Sequence, residues 1–350
     1  LLGQMAGSGL KFYKSSKVTR LSGSDGLISA DDVVIIKVNS QWDQRGGTNT
    51  DLVKSIIQAI VDHPDGFRGE VVVADNGQAQ YGAQGRGGSL YWASSNAQDR
   101  GQSIVDVVNG FKPTFRVSAY LWDTITTSVV SEYADGDSED GYVVSTRVAS
   151  STSTISAYPK FTTEYGTMIS FRHGVYVAAD NDYDAGKLKV ISVPVLKTHM
   201  IYGVTGAVKH YMGVTSDKLT SGLGYSAHGS VGRGGMGTLM AQTRVPDLNI
   251  LDAIYVNARP EAGPRTTYDD ASEVNVITAS TDPVALDYWA AKHILCAVCE
   301  ANGWGDMSSM DPDNTRSGEF GDWLRLSMEE LNAAGYGFTC DEDRISVHVN

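Results

Sequence analysis

Two textures of apolar and polar positions alternate along this chain. Residues 31–40, DDVVIIKVNS, hold an unbroken β-branched run that ends in polar groups, the pattern of a strand buried on both faces. The next segment, TNTDLVKSIIQAIVDHPDG, places Leu52, Ile56, Ile57 and Ile60 at helical spacing. Asn49 or Thr50 can cap that helix, and the turn at Pro64 and Gly66 ends it. GEVVVADN then reads as a second strand, and this strand–helix–strand order implies a right-handed βαβ unit with parallel strands. NAQDRGQSIVDVVNG and FRVSAYLW supply a second helix and a third strand.

From residue 123 to about residue 187 the texture changes. DGDSEDGYVVSTRVASSTSTISAY is polar, β-branched and rich in turn residues, which predicts a β-rich insertion over residues 123–187 rather than a separate domain. The α/β pattern resumes with KLKVISVPVL as a strand and GVTGAVKHYMG as a short helix. LNILDAIYV and VNVITAS predict further strands, PVALDYWAAKHILCAVCEANG and FGDWLRLSMEELNAAG predict helices, and RISVHVN predicts a closing strand. The fold class expected is α/β: a mixed, largely parallel sheet flanked by helices, with the β-rich insertion, in one large domain over residues 1–350.

With 350 residues and 41% apolar content the chain can bury a substantial core, and no apolar run reaches the ~18 residues of a membrane span. The net charge of −13, with no basic tail, argues against nucleic acid or an anionic membrane surface as partner. The polar residues lean to Ser, Thr, Gly, Asn and Asp, a composition common outside the cytoplasm, and the chain starts at Leu1 rather than Met. Both features lead us to expect a processed, secreted or periplasmic protein.

Against this acidic background SVPVLKTHMIYGVTGAVKHYMG concentrates Lys197, His199, Lys209 and His210 after an apolar run. Open α/β sheets bind ligands beyond the carboxyl ends of their strands. Lys37 and Asn39, Asp75 and Asn76, and Lys197 and His199 all fall at such ends; Asp252 and Ser280 follow two more. Convergence of these ends would build a site for a small anionic molecule, with or without a divalent metal. Lys37, Lys197 and Lys209 would hold anionic groups, His199 would act as acid/base or metal ligand, and His228 with Asp75 and Asp252 would complete a metal shell. The competing reading pairs Lys37 and Lys197 with Asp75 and Asp252 as structural ion pairs. Val193, Val195, Lys197 and His199 share strand parity, so the strand is expected to end at Leu196 or Lys197, with the lysine meeting a carboxylate.

Other motifs weigh less. GRGGMG matches a dinucleotide fingerprint literally, but GLGYSAHGS before it cannot be a buried strand, so a nucleotide is not expected and a lid or close-packed loop is favoured. DPVALDYW opens with Asp282 as a natural cap and Pro283 at the first helical position, while Asp287, one turn in among apolar neighbours, suits ligand binding. Cys296 and Cys299 lack the further ligands of an iron–sulfur cluster, so none is expected. In an oxidising compartment Cys340 is expected to pair with Cys296 or Cys299. DNDYDAG and DPDNTRSGEFGD approach calcium-loop spacing but lack its glycine in the right place.

Taken together, IIKVN, GTNTDLVKSIIQAIVDHPDGFRGEVVVADNGQ, SVPVLKTHMIYGVTGAVKHYMG and TDPVALDYWAAKHIL resemble the family catalogued as domain of unknown function 362, over residues 31–295. The resemblance implies the fold and picks out Lys37, Asn39, Lys197, His199, Lys209, Asp282 and Asp287. It implies no reaction. Many members carry ferredoxin-like cysteine clusters, which this sequence lacks. The function expected is an enzyme-like protein binding a small anion at the strand ends. A different class, an extracellular assembly protein using the β-rich insertion as an interface, in a homo-oligomer, is the alternative.

Overall fold

Strand β1, Val33–Lys37, is buried along its whole length, because its alternate side chains enter two different cores. The computed structural model describes residues 1–78 and 87–349. Val33 and Ile35 face one apolar cluster, and Val34 and Ile36 face the other. Helix α1, Thr50–Val61, lays Leu52, Val53, Ile56, Ile57 and Ile60 into the second cluster. Asn49 caps it, accepting from the backbone N–H groups of Asp51 and Leu52. Strand β2, Glu70–Asp75, lies parallel to β1. Helix α2, Ile104–Phe111, starts with a reciprocal Ser103–Asp106 capping box, and strand β3, Val117–Leu121, pairs in parallel with β2.

Five strands then form an antiparallel meander: β4, Gly141–Ala149; β5, Thr154–Thr162; β6, Met168–Ser170; β7, Gly174–Val177; and β8, Asp182–Asp184. Tyr142, Ala157, Phe161 and Ile169 join the cluster that also holds Val33 and Ile35. The meander therefore covers one face of the central sheet, where helices α1 and α2 cover the other. The acidic DNDYDAG segment supplies the edge strand β8 and its turns, with Asp184 accepting from the Gly186 and Lys187 backbones.

Strand β9, Leu188–Ser192, pairs in parallel with β1. Strand β10, Val195–His199, and β11, Gly203–Thr205, form a tight antiparallel pair. Helix α3, Ala207–His210, continues into a 3-10 turn over Tyr211–Gly213. Helices α4, Asp217–Gly222, and α5, Gly235–Gln242, precede strands β12, Leu248–Asn257, and β13, Ser272–Ser280. Among the described residues the central sheet has 8 strands in the order β11-β10-β12-β9-β1-β2-β3, with β13 added antiparallel to β12. Helix α6, Pro283–Ala290, runs through a π turn into Ala297–Ala301, and α7, Phe320–Ala333, follows. Asp282 caps α6 as expected, accepting from the Val284 and Ala285 N–H groups. Among the described residues no helix is long and apolar enough to cross a membrane.

Three expectations about the fold need correction. Strand β10 does not stop at Leu196 or Lys197 but runs to His199, because β11 folds back and pairs with Lys197, Thr198 and His199. A register irregularity between Val195 and Lys197 in the pairing with β12 offsets the simple alternation of faces. Among the described residues of the expected closing strand RISVHVN, 345–349 form no strand and Val347 and Val349 stay exposed, while Asn350 lies outside the described residues. All three cysteines are free thiols; burial pushes Cys296 and Cys340 up to about 12, and a protonated thiol resists oxidation without a bridge. Two glycines of GRGGMG serve packing against α7: a Cβ on Gly234 would press on Leu326, and one on Gly237 would overlap the Ser327 backbone.

Candidate functional site

The carboxyl ends of β1, β2 and β10 meet helix α3 around a cavity of about 460 Å³. Lys37, Asn39, Asp75, Asn76, Lys197, His199, Lys209, His210 and His228 all line it. Trp42, Met200, Ile201, Pro264 and Arg265 line it too, and Met200 and Ile201 are exposed while the lysines are buried. Buried lysines thus sit inside the cavity, and exposed Met200, Ile201 and Arg265 stand on its outer wall.

The lysines differ in their partners. Lys37 Nζ lies 2.9 Å from Asp75 Oδ1 and donates to the His210 carbonyl at 2.8 Å. The other oxygen of Asp75 accepts from the Ser40 N–H and hydroxyl at 2.7 and 2.9 Å. This is the structural ion pair that the competing reading expected. Lys197 is different: its Nζ donates to the Gly46 carbonyl, and no carboxylate lies within ion-pair distance among the described residues. Lys209 has neither a hydrogen bond nor an ion pair among the described residues; the Tyr202 ring lies 5.6 Å from its Nζ. The expected carboxylate partner of Lys197 is therefore absent there. Asp252 is fully buried and accepts from the Asn49 and Ile254 N–H groups at 2.8 and 3.2 Å, so it locks β12 to the cap of α1.

Burial sets the electrostatics. It pulls Lys37 down to about 8, with Asp75 limiting the fall. It pulls Lys197 down to about 7, helped by the charge of Lys209, and Lys209 to about 7, helped by Lys37. Asp252, buried in turn, is pushed up to about 6. Among the described charged side chains on the cavity wall, three buried lysines and an exposed Arg265 face Asp75 and Asp217. The wall therefore carries a cationic excess in a place shielded from water, where an uncompensated charge is costly.

His199 Nδ1 accepts from the Ile201 and Tyr202 N–H groups at 3.1 and 3.3 Å. The neutral ring consequently carries its proton on Nε2 and offers the cavity a donor. Burial, with Lys209 next, pulls His199 down to about 2, so it stays neutral and is a poor base. A metal-ligating histidine normally donates from the nitrogen that does not bind the metal; His199 has the opposite arrangement. His228 lies close, with ring centroids 5.8 Å apart, and burial lowers it to about 4. The expected metal set of His199, His228, Asp75 and Asp252 does not assemble, because Asp75 is engaged by Lys37 and Ser40 and Asp252 does not line the cavity. Among the described residues no three His, Cys, Asp or Glu side chains are placed to share a metal ion.

Asp287, expected to bind ligand, does not line the cavity. Its carboxylate, pushed up to about 7 by burial, accepts from the Ala207 and Val208 N–H groups and so fixes the start of α3. A Cβ on Gly206 would overlap this carboxylate, and a Cβ on Gly213 would overlap Lys37 Nζ and Asp75 Oδ1. The two glycines of GAVKHYMG thus let α3 sit against a carboxylate at one end and an ion pair at the other, with Lys209 and His210 between them. Asn39 accepts from the Val195 N–H at 2.9 Å and ties β1 to β10. His210 Nδ1 lies 2.9 Å from the Ser192 hydroxyl.

Sequence reasoning missed Gln78, Thr205, Asp217 and Arg265, all on the wall. Asp217 accepts from the Ser226 hydroxyl and the His228 N–H at 3.0 and 2.9 Å. It opens α4 after the capping Ser216, and its only signal in the sequence is that of a helix start.

The class defined by these features is an α/β protein with a cation-lined cavity at the carboxyl ends of a mostly parallel sheet. Residues 185–292 match the family model described as Domain of unknown function (DUF362), so the chain contains a DUF362 domain over β9 to α6. Comparison with the curated proteins and with solved structures returns no match.

Proposed function

We propose that this cavity binds a small anionic molecule and that the protein, in a secreted or periplasmic setting, acts on it as an enzyme. One observation carries the reading: Lys197 and Lys209, 1% and 7% exposed, face a common cavity without a carboxylate partner among the described residues. An anion would supply the missing charge, and the Nε2–H of His199 would donate to it.

Calorimetric titration at pH 6.5 with inorganic phosphate and short mono- and dicarboxylates tests the proposal. We expect saturable binding by the intact protein and at least about tenfold weaker binding by Lys197→Met, equivalent to about 1.4 kcal/mol, with the melting temperature kept. No binding by any of these anions, or unchanged binding by the variant, would overturn it.

A further inference from the structure

Three buried lysines share the cavity, and only one has the surroundings of a nucleophile. Lys37 is held as an ammonium by Asp75. Lys197 is anchored to the Gly46 carbonyl, which leaves it placed to grip an anion. Lys209 is unpartnered among the described residues, 7% exposed, and on the wall of a cavity open at its far end. An amine desolvated beside another cation is the arrangement that frees a lysine lone pair. We propose that Lys209 Nζ forms an imine with the carbonyl of a 2-oxo acid whose carboxylate rests on Lys197, a step that presupposes the anion-binding reading of the cavity.

The chemistry balances without an oxidant or reductant. The neutral amine nitrogen attacks the carbonyl carbon, a C–N bond forms, and the C–O double bond becomes single as a proton moves from nitrogen to oxygen. The hydroxyl of this carbinolamine leaves with the second nitrogen proton as water, and the nitrogen lone pair closes the C=N bond. His199, close enough for the Lys209 charge to depress its basicity, offers a neutral N–H to the carbonyl oxygen as charge develops there. Burial pulls both Lys197 and Lys209 down, and the charge of Lys209 adds to the fall of Lys197, so two like charges share the site poorly. Met200 and Ile201 at the mouth leave room for an apolar substituent on the keto carbon.

The test is reductive trapping on the intact chain. The protein is incubated at pH 7.5 with pyruvate or, separately, phenylpyruvate, and sodium borohydride is added to convert any imine to a stable secondary amine. Intact mass and peptide mapping should show a single adduct on the peptide holding Lys209, none with lactate, and none in Lys209→Arg. The wild-type peptide map decides the matter even if that variant fails to fold. Calorimetry run alongside separates the two ideas. Oxo acids that bind without an adduct, or an adduct on Lys197 or scattered over surface lysines, would overturn the imine and leave the anion site standing. Failure of phosphate, lactate and both oxo acids to bind would remove both.

Discussion

Two parts of this molecule bury a lysine, and they treat it in opposite ways. In the antiparallel meander Lys160 is 0% exposed. Its Nζ donates to Asp137 at 2.5 Å and to the Ser131 carbonyl at 3.0 Å, and it lies 4.1 Å from the centre of the Tyr133 ring. At the strand ends Lys209 is nearly as buried and, among the described residues, has only the Tyr202 ring, at 5.6 Å. The meander supplies all that a desolvated ammonium requires. The cavity leaves that requirement unmet, and a group left in that state is one a ligand can complete. Lys37, paired with Asp75, follows the pattern of Lys160 although it stands on the cavity wall.

Removing the cation from each setting breaks or sharpens this contrast. The largest effect is expected for Lys37→Met, which strands a fully buried carboxylate: about 3–5 kcal/mol of stability lost in denaturant titration. Lys160→Met should cost about 2–3 kcal/mol, less because Asp137 is 22% exposed and can be hydrated in the variant. If either substitution were neutral, the pairs would be incidental to the fold.

Lys209→Met should behave differently. No carboxylate is orphaned, an apolar chain replaces an uncompensated cation, and stability should hold within about 1 kcal/mol or rise. Anion binding should weaken even though stability is kept. A loss of stability as large as that of Lys160→Met would erase the distinction between the two regions.

The smallest effect is in the pH dependence of stabilisation by phosphate. Lys197 and Lys209 have folded values near 7, below the ~10.4 of an unfolded lysine. Between those limits the unfolded chain holds more protons, so these two groups make stability rise with pH from about 7 towards 10. Below pH 7 both are charged in the folded state, the cost of burying them is fully present, and an anion relieves most of it. Saturating phosphate should therefore raise the melting temperature more at pH 6 than at pH 9, by an amount worth about 1 kcal/mol. Equal shifts at the two pH values would dissociate the anion from the lysines.

The parallel strands were legible because runs such as VVIIK and VVVA are buried on both faces and cannot be mistaken for surface. The positions of Lys37, Asp75, Lys197 and His199 were legible for the same reason, since each ends or follows such a run. What the pattern could not convey was pairing. Asp252 stands at a strand position that invites a lysine, yet the backbone of Asn49 takes its carboxylate. Asp287 carries no local mark of its duty, because the helix start it caps lies about 80 residues earlier in the chain. The extension of β10 to His199 depends on β11 folding back against it, a tertiary event invisible in a single segment. Periodicity in RISVHVN was real but had no neighbour to pair with, so residues 345–349 stay out of the sheets.

The close fit of Gly206 and Gly213 bears on how this chain can change by mutation. Any glycine codon is one base away from an alanine codon, and over much of a protein surface that change passes unnoticed. Here the added methyl would overlap the Asp287 carboxylate at one position, and Lys37 and Asp75 at the other. The short segment that presents Lys209 is thus hemmed in genetically at both ends. A lineage that drops the ion pair or the capping carboxylate regains freedom at the facing glycine, whereas one that keeps them must keep the glycines as well.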